Sequence, residues 1–539
     1  MLNLHYLLPE LYISASVLGR LVASSVVLTT FTKTSADDLK HRSAWSRRLT
    51  RTLALAFVLT LPLLIETTTW FAHTPLWTSD VLWYGTLTAS FATQIVKLVL
   101  VARTAAVILG TESITTAQGI RAPEYVMMMA FASIGLLFLS CANDLISLFI
   151  ALEWQSLLLY VLASFRRASA YSTEAGLKYF IQGSVMTAVY LLGAALLYGT
   201  NGTVNFTELY PRIISETRLT TNTTALTSSL DFMNLLWATS EPALLLGNLV
   251  GMMLIASAIL FKLAAVPFHS WAPDVYEGSP TSSAIYFAVV PKIAQVALLV
   301  RLCTAFEDIL YLWQTALIAV SIASMSLAPF SALAQMKWKR FLAFSSIANV
   351  GNLLLALSVG GFHGVQATWL YVIIYGLSVL RVWLSLASLV KIEHTLTPTS
   401  LYVERPLKYI HELGSLVKTN TVLAYTIAAA ILASAGLPPF VMFQAKLSVI
   451  LAAVSAHHSL LALYMVLISV LTTFYYLRFV KILFFTTDES SDRTVKGAMT
   501  PLIATIISLL SILMLLLMMD SNMRTGVTTW MTTSSGLVQ

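Results

Sequence analysis

Apolar residues in this chain come in long runs, from Leu4 to about residue 518, and polar residues gather in short stretches between the runs. A run of about twenty apolar residues coiled as a helix spans a hydrocarbon core of about 30 Å. The pattern predicts about fourteen such spans, at 5–31, 52–72, 86–109, 123–141, 143–165, 177–199, 243–277, 281–303, 310–334, 339–360, 363–390, 421–455, 458–484 and 499–518. The expected fold class is an all-α polytopic membrane protein.

Two of these spans are interrupted. The seventh contains Lys262 and breaks at Pro267, within FKLAAVPFHSWAPDVYEG; the twelfth breaks at Pro438 and Pro439, within SAGLPPFVMFQAK, and carries Lys446 just beyond. Proline removes a helical donor and crowds the preceding turn, so each span should divide into half-helices. The breaks lie five spans apart, and an odd offset inverts orientation. Spans 4–8 and 9–13 are therefore read as two inverted five-helix repeats, each with a broken helix. The expected division is a three-helix segment at 1–122, repeats at 123–303 and 310–485, and a last span with its tail at 486–539.

Charge sharpens this picture. Only 11% of the residues are charged, against roughly 25% in soluble domains. With alternating loops, Lys33, Lys40, Arg42, Arg47, Arg48, Arg51, Arg121, Arg166, Arg167, Lys337, Lys339, Lys391, Arg405, Lys408, Lys418, Arg493 and Lys496 share one face, and Arg212, Arg218 and Arg524 the other. This asymmetry marks the side from which insertion occurred and puts both termini on the opposite side. The net charge of +7 is thus a topology signal, and no nucleic-acid partner is expected. Cys141 and Cys303 make no disulfide framework and have no metal-ligand neighbours, so they are read as packing residues, and no metal site is expected. No basic stretch precedes the first apolar run, and no cleavable leader is expected.

The charges within spans carry the candidate chemistry. An ionisable group at the bilayer centre costs about 2.5–3.5 kcal/mol on insertion scales. Glu153 lies near the middle of span 5, and Lys292 lies mid-span just after Pro291; Lys262 and Lys446 adjoin the two breaks, where freed backbone and water can solvate them. A lysine in a dry site releases its proton more readily, and a nearby carboxylate reverses the effect. Glu153 with Lys262 reads as such a modulating pair, with Lys292 and Lys446 continuing a proton relay. Lys178 and His269 are secondary relay candidates; Lys97, Arg103, Asp274 and Glu277 are read as structural. Arg381, ten residues before Lys391, lies too deep to snorkel easily and cannot load and release a proton. It is expected to meet a carbonyl cluster, a carboxylate or ordered water.

At these residues the chain resembles the antiporter-like, Mrp-related proton-translocating subunits of respiratory complex I (NADH:ubiquinone oxidoreductase). The segments that carry the resemblance are ALEWQSLLLYVLASF, STEAGLKYF, FKLAAVPFHSWAPDVYEGSPTS, VVPKIAQVALLVRL, KWKRFLAFSSIANVG, AGLPPFVMFQAK and FYYLRFVKILFF, over roughly residues 120–485. The resemblance places the family's span-5 glutamate on Glu153, its broken-helix lysine on Lys262, its central lysine on Lys292 and its exit-side ionisable residue on Lys446. It implies coupling of NADH-to-quinone electron transfer to proton translocation, with no redox cofactor in this chain. NADH, FMN, iron–sulfur clusters and ubiquinone are then left to partner subunits. Implied partners are other membrane-arm subunits, including a neighbouring antiporter-like one and small membrane subunits, together with lipids. The implied location is the mitochondrial inner membrane, basic loops facing the matrix and both termini the intermembrane space; the bacterial plasma membrane is the alternative. The rival function is a stand-alone or Mrp-type cation/proton antiporter. The chain departs from the family in a long 200–241 loop, a weakly similar 391–420 linker, and Arg381.

Overall fold

The computed structural model describes residues 6–30, 36–73, 80–120, 122–209, 242–305, 310–394, 402–485, 493–497 and 500–520, with short pieces between 526 and 532. Helices dominate: α1 (Leu8–Thr30), α2 (Ala36–His73), α3 (Phe91–Ala117), α4 (Pro123–Cys141), α5 (Leu145–Ser164) and α6 (Ala170–Asn201) come first. They are followed by α7 (Pro242–Leu263), α8 (Trp271–Gly278), α9 (Thr281–Val289), α10 (Pro291–Ala305), α11 (Leu310–Leu333), α12 (Trp338–Val359) and α13 (Gly361–Ala387). The last are α14 (Thr421–Ala435), α15 (Val441–Ser455), α16 (Ser459–Phe485) and α17 (Pro501–Met519). Among the described residues, 12 helices are long and apolar enough to cross a membrane. The two remaining expected spans coincide with α1 and with the pair α14 and α15.

Local chemistry sets the helix ends. Ser90 and Thr93 cap the start of α3 reciprocally, Asn420 accepts the Leu423 N–H at the start of α14 at 3.1 Å, and Pro123 and Pro501 open α4 and α17. Each device satisfies or removes one of the backbone donors a helix start leaves unpaired. Both expected breaks are present, between Leu263 and Trp271 and between Ala435 and Val441. A milder third break separates α9 from α10 at Pro291, so the span that carries Lys292 is also divided.

The bundle sorts its apolar surface in two ways. The long apolar stretches of α9–α10 and of α12 are buried on all sides, so they form its centre. On the periphery, α5 exposes Ile146, Ile150, Trp154, Leu157 and Val161 at helical spacing. A contiguous apolar stripe of this kind marks a lipid or protein contact face.

The described loops gather at two ends of the bundle. Residues following α3, α5, α8 and α13 and preceding α12 line one cavity. At the other end, Asn143 donates to the Gly85 carbonyl at 2.9 Å and to Asn205 at 2.8 Å, and Arg301 donates to the Ala142 carbonyl at 2.9 Å. Asn201 and Asn205 are held by side-chain hydrogen bonds; most of the 200–241 loop lies outside the described residues.

Strands were not expected, yet two small sheets supplement the helices. β1 (Asp80–Leu82) pairs with β2 (Leu87–Ala89), and a three-stranded antiparallel sheet runs β4 (Tyr402–Pro406), β3 (Leu389–His394), β5 (Arg493–Gly497). The second sheet ties the 391–420 linker to the segment before α17. Beside it, burial alone would raise the Glu412 carboxyl. N–H donation from Tyr409 and Lys408 and the Lys391 ammonium at 3.0 Å outweigh burial and hold it below its usual range.

Lys97 and Arg103, read as structural, both have fixed partners. Lys97 makes an ion pair with Glu10 at 2.6 Å, with both side chains 1% exposed, and Arg103 donates to the Val372 and Ile373 carbonyls at 2.9 and 3.2 Å. Removing one member of a buried pair strands the other, at a cost of roughly 3–5 kcal/mol, whereas replacing both by apolar groups is often neutral. Lys97→Met is therefore expected to lower the thermal midpoint of the solubilised protein, and Lys97→Met with Glu10→Leu to recover most of the loss. Equal loss in both would show that the pair contributes through packing alone.

Candidate functional site

Three lysines are buried in the bundle without a carboxylate in contact: Lys262 is 7% exposed, Lys292 6% and Lys446 6%. Among the described residues none makes an ion pair, and each amine meets neutral oxygens. Lys262 Nζ donates to the Tyr160 hydroxyl at 3.4 Å and Lys292 Nζ to the Tyr375 hydroxyl at 2.9 Å. Lys446 Nζ donates to the Ala435 carbonyl at 2.8 Å and to Thr472 Oγ1 at 3.4 Å. The contrast with Lys97 is instructive: a contact ion pair fixes a charge, whereas neutral partners accommodate an amine in either protonation state.

The breaks place two of these amines. At the first, Ala264 takes a left-handed conformation (φ 62), and the Ala265 N–H bonds back to the Leu260 carbonyl at 3.0 Å, closing α7 just after Lys262. Glycine normally takes this position, so alanine there stores about 1–2 kcal/mol of strain. At the second break Gly436 (φ 79) caps α14, and a Cβ there would stand 3.0 Å from the Lys446 side chain. Glycine lets Lys446 fold back onto the terminal carbonyls of α14, which carry negative partial charge.

Glu153 on α5 acts electrostatically on both Lys262 and Tyr160. One of its carboxylate oxygens is buried with no hydrogen-bond partner among the described residues. Tyr160 reaches Lys262 because Gly183 on α6 leaves room for its ring; a Cβ at Gly183 would overlap the Tyr160 hydroxyl.

Buried hydroxyls and amides run between Lys292 and Lys446. Tyr375 interacts with Ser346 and its ring stacks beside Tyr371 at 6.4 Å. The Tyr371 hydroxyl donates to Asn349 Oδ1 at 2.7 Å and accepts from Asn352 Nδ2 at 3.0 Å. Tyr476 hydrogen-bonds Ser345 and interacts with Asn349 and Ser434. Ser434 directly precedes Ala435, the acceptor of Lys446. Between Lys262 and Lys292 the connection is looser: Tyr160 and Tyr179 pack edge to face at 4.7 Å, and Tyr179 neighbours Tyr276, which interacts with Ser346.

Residues 142–472 match the family described as NADH:quinone oxidoreductase/Mrp antiporter, transmembrane. This chain belongs to that family. It is 35% identical over 486 residues to the NADH-ubiquinone oxidoreductase chain 2 of Marchantia polymorpha, covering 90% of this chain and 89% of that one. It is 37% identical over 396 residues to the NADH-quinone oxidoreductase subunit N of Methylobacterium nodulans, covering 73% and 74%. In fold it is similar to a chain of respiratory complex I from Thermus thermophilus (TM-score 0.63, 23% identity, 88% of this chain and 96% of that one). It is likewise similar to a chain of the Mrp complex from Dietzia sp. (TM-score 0.75, 19% identity, 99% and 97%). The family member described here is thus a multi-pass membrane protein.

The secondary candidates of this family member are less buried than the three lysines. Lys178 is 43% exposed and pairs with Glu174 at 2.7 Å and Asp274 at 3.2 Å, at the end of the bundle that gathers the basic loops. His269 lies in the first break, half-buried, its Nδ1 without a hydrogen-bond partner among the described residues. Of the partners expected for Arg381, neither a carbonyl nor a carboxylate meets its guanidinium among the described residues, and its Nε is buried without a partner. The nearby Ser385 hydroxyl instead bonds the Arg381 backbone carbonyl at 2.5 Å.

The aromatic and amide partners were missed from sequence. One signal was present: Ser345, Asn349 and Asn352 recur at helical spacing in an otherwise apolar span. Tyr375→Phe removes the hydroxyl partner of Lys292 at nearly constant volume. It is expected to slow proton-coupled turnover by at least about tenfold while leaving the protein's level in the membrane unchanged. Unaltered turnover would remove Tyr375 from the site.

Proposed function

We propose that this chain is a membrane-arm subunit of NADH:quinone oxidoreductase and couples NADH-to-quinone electron transfer to proton translocation. The observation that carries the reading is the set of three buried, carboxylate-free lysines on neutral oxygens, two of them at helix breaks, within a chain of this family. In the reading, Glu153 modulates Lys262, and protons pass through Lys292 to Lys446 along the Tyr375, Tyr371, Asn349 and Tyr476 side chains. A carboxylate near Lys262 favours its charged form and its removal favours release. A shift in that electrostatic influence therefore loads or empties the first amine. The hydroxyls and amides both donate and accept, as a relay requires. His269 adjoins the first break as an auxiliary proton carrier, and Lys178 serves at the mouth.

Hydride and electron chemistry, with NADH, FMN, iron–sulfur clusters and ubiquinone, belongs in this reading to partner subunits. Partners include a neighbouring antiporter-like subunit and small membrane subunits, against apolar faces such as that of α5. The location proposed is the mitochondrial inner membrane, with the basic loops in the matrix. A stand-alone antiporter shares the fold, so architecture does not distinguish the two; sequence relatives that are named as NADH oxidoreductase subunits favour the first.

Lys262→Ala is expected to cut coupled quinone reduction by at least about tenfold in membranes while NADH oxidation by artificial acceptors continues. Normal coupled rates in an assembled complex would refute the relay. Glu153→Gln is expected to impair coupled turnover more than Glu153→Asp, which keeps the charge; equal loss would assign Glu153 to packing.

A further inference from the structure

The end of the bundle that gathers the basic loops holds a cavity of about 570 Å³, lined from the ends of α5, α6, α8, α12 and α13. Its three carboxylates are all engaged. Lys178 holds Glu174 and Asp274, Arg340 reaches Asp274 at 3.4 Å and Glu277 at 3.5 Å, and Lys337 holds Glu277. Three further cations, Arg166, Lys339 and Lys408, line the same space and pair with no carboxylate among the described residues. Their charges converge: Arg166 and Lys408 both act electrostatically on Lys339, whose amine donates to the Ser279 carbonyl at 3.0 Å. Glu277 is also within electrostatic range of Lys339, but it is shared by two other cations.

Three like charges drawn together around a cavity repel one another unless an anion joins them. The space is within the range of small-molecule sites. A phosphate group, with several acceptor oxygens, suits one guanidinium and two ammonium groups. Tyr171, 73% exposed, and Tyr409, 38% exposed, line the cavity, as amphipathic rings do at a membrane boundary. On the same helix as Tyr171, Leu177, Phe180 and Ile181 are exposed, an apolar surface along which an acyl chain can lie. We propose that this cavity binds a phosphate-bearing anion, and that the phosphodiester headgroup of an anionic lipid is the form the surrounding surface favours. None of Glu153, Lys262, Lys292 and Lys446 lines the cavity, whereas Lys178, placed at the mouth of the relay, does.

The test places the intact complex in phosphatidylcholine nanodiscs and titrates fluorescent phosphatidylglycerol, with inorganic phosphate as competitor. Arg166→Gln combined with Lys408→Gln, both at exposed positions, is expected to weaken phosphatidylglycerol binding roughly thirtyfold, from two surface charges. Arg167→Gln, exposed but outside the cavity, is expected to bind as the parent does. Phosphatidylglycerol binding that resists millimolar phosphate assigns the site to lipid; displacement by phosphate assigns it to the free ion, and either result supports a phosphate site. Equal affinity of the parent and the double variant for both probes overturns the proposal. So does an Arg167→Gln loss as large as that of the double variant, since general surface charge would then account for the binding.

Discussion

An amine taken out of water without a contact carboxylate is the constraint from which the rest of this structure follows. Burying a charge is costly unless it is paired, and pairing it tightly fixes its protonation. Lys262, Lys292 and Lys446 avoid both outcomes by resting on hydroxyl and carbonyl oxygens. Such oxygens are scarce inside an apolar bundle because regular helices consume their own carbonyls. The helix breaks supply them at Lys446, whose carbonyl acceptor Ala435 ends a half-helix, and tyrosines supply them at Lys262 and Lys292.

The remaining architecture keeps contact carboxylates away from these amines. α9–α10 and α12 are wrapped on every side, which confines Lys292 and the Ser345–Asn352 face to the protein interior. Charges that hold the fold together are contact pairs elsewhere: Lys97 with Glu10 near the N-terminal helices, and the Lys178, Asp274, Glu277, Lys337 and Arg340 cluster at one end. Glu153 lies between these classes. It influences Lys262 without touching it, the arrangement in which a carboxylate biases a proton transfer without trapping the proton.

Much of this was legible in the chain itself. Charges in apolar runs are conspicuous because each must have a reason, and Pro267, Pro438 and Pro439 mark the breaks by removing donors. The alternation of basic loops anticipated which loops share an end. Tyr160 and Tyr375 were not legible, because tyrosine is ordinary in membrane helices and only tertiary packing decides which hydroxyl meets an amine. The three-stranded sheet escaped because β5 comes from a segment distant in sequence from β3 and β4. Position along a helix gives the depth of a charge such as Arg381, but the direction it points depends on neighbours the periodicity does not name.

The central claim concerns proton movement through Lys292, the amine that joins the looser tyrosine series to the hydroxyl and amide run. Its most direct test is the ratio of protons translocated to electrons transferred by the intact complex in sealed vesicles, with Lys292→Gln compared with the parent. The expected result is a lower ratio, or coupled turnover reduced to background, in a complex that still assembles and oxidises NADH with artificial acceptors. The parent ratio at the parent rate would contradict the account.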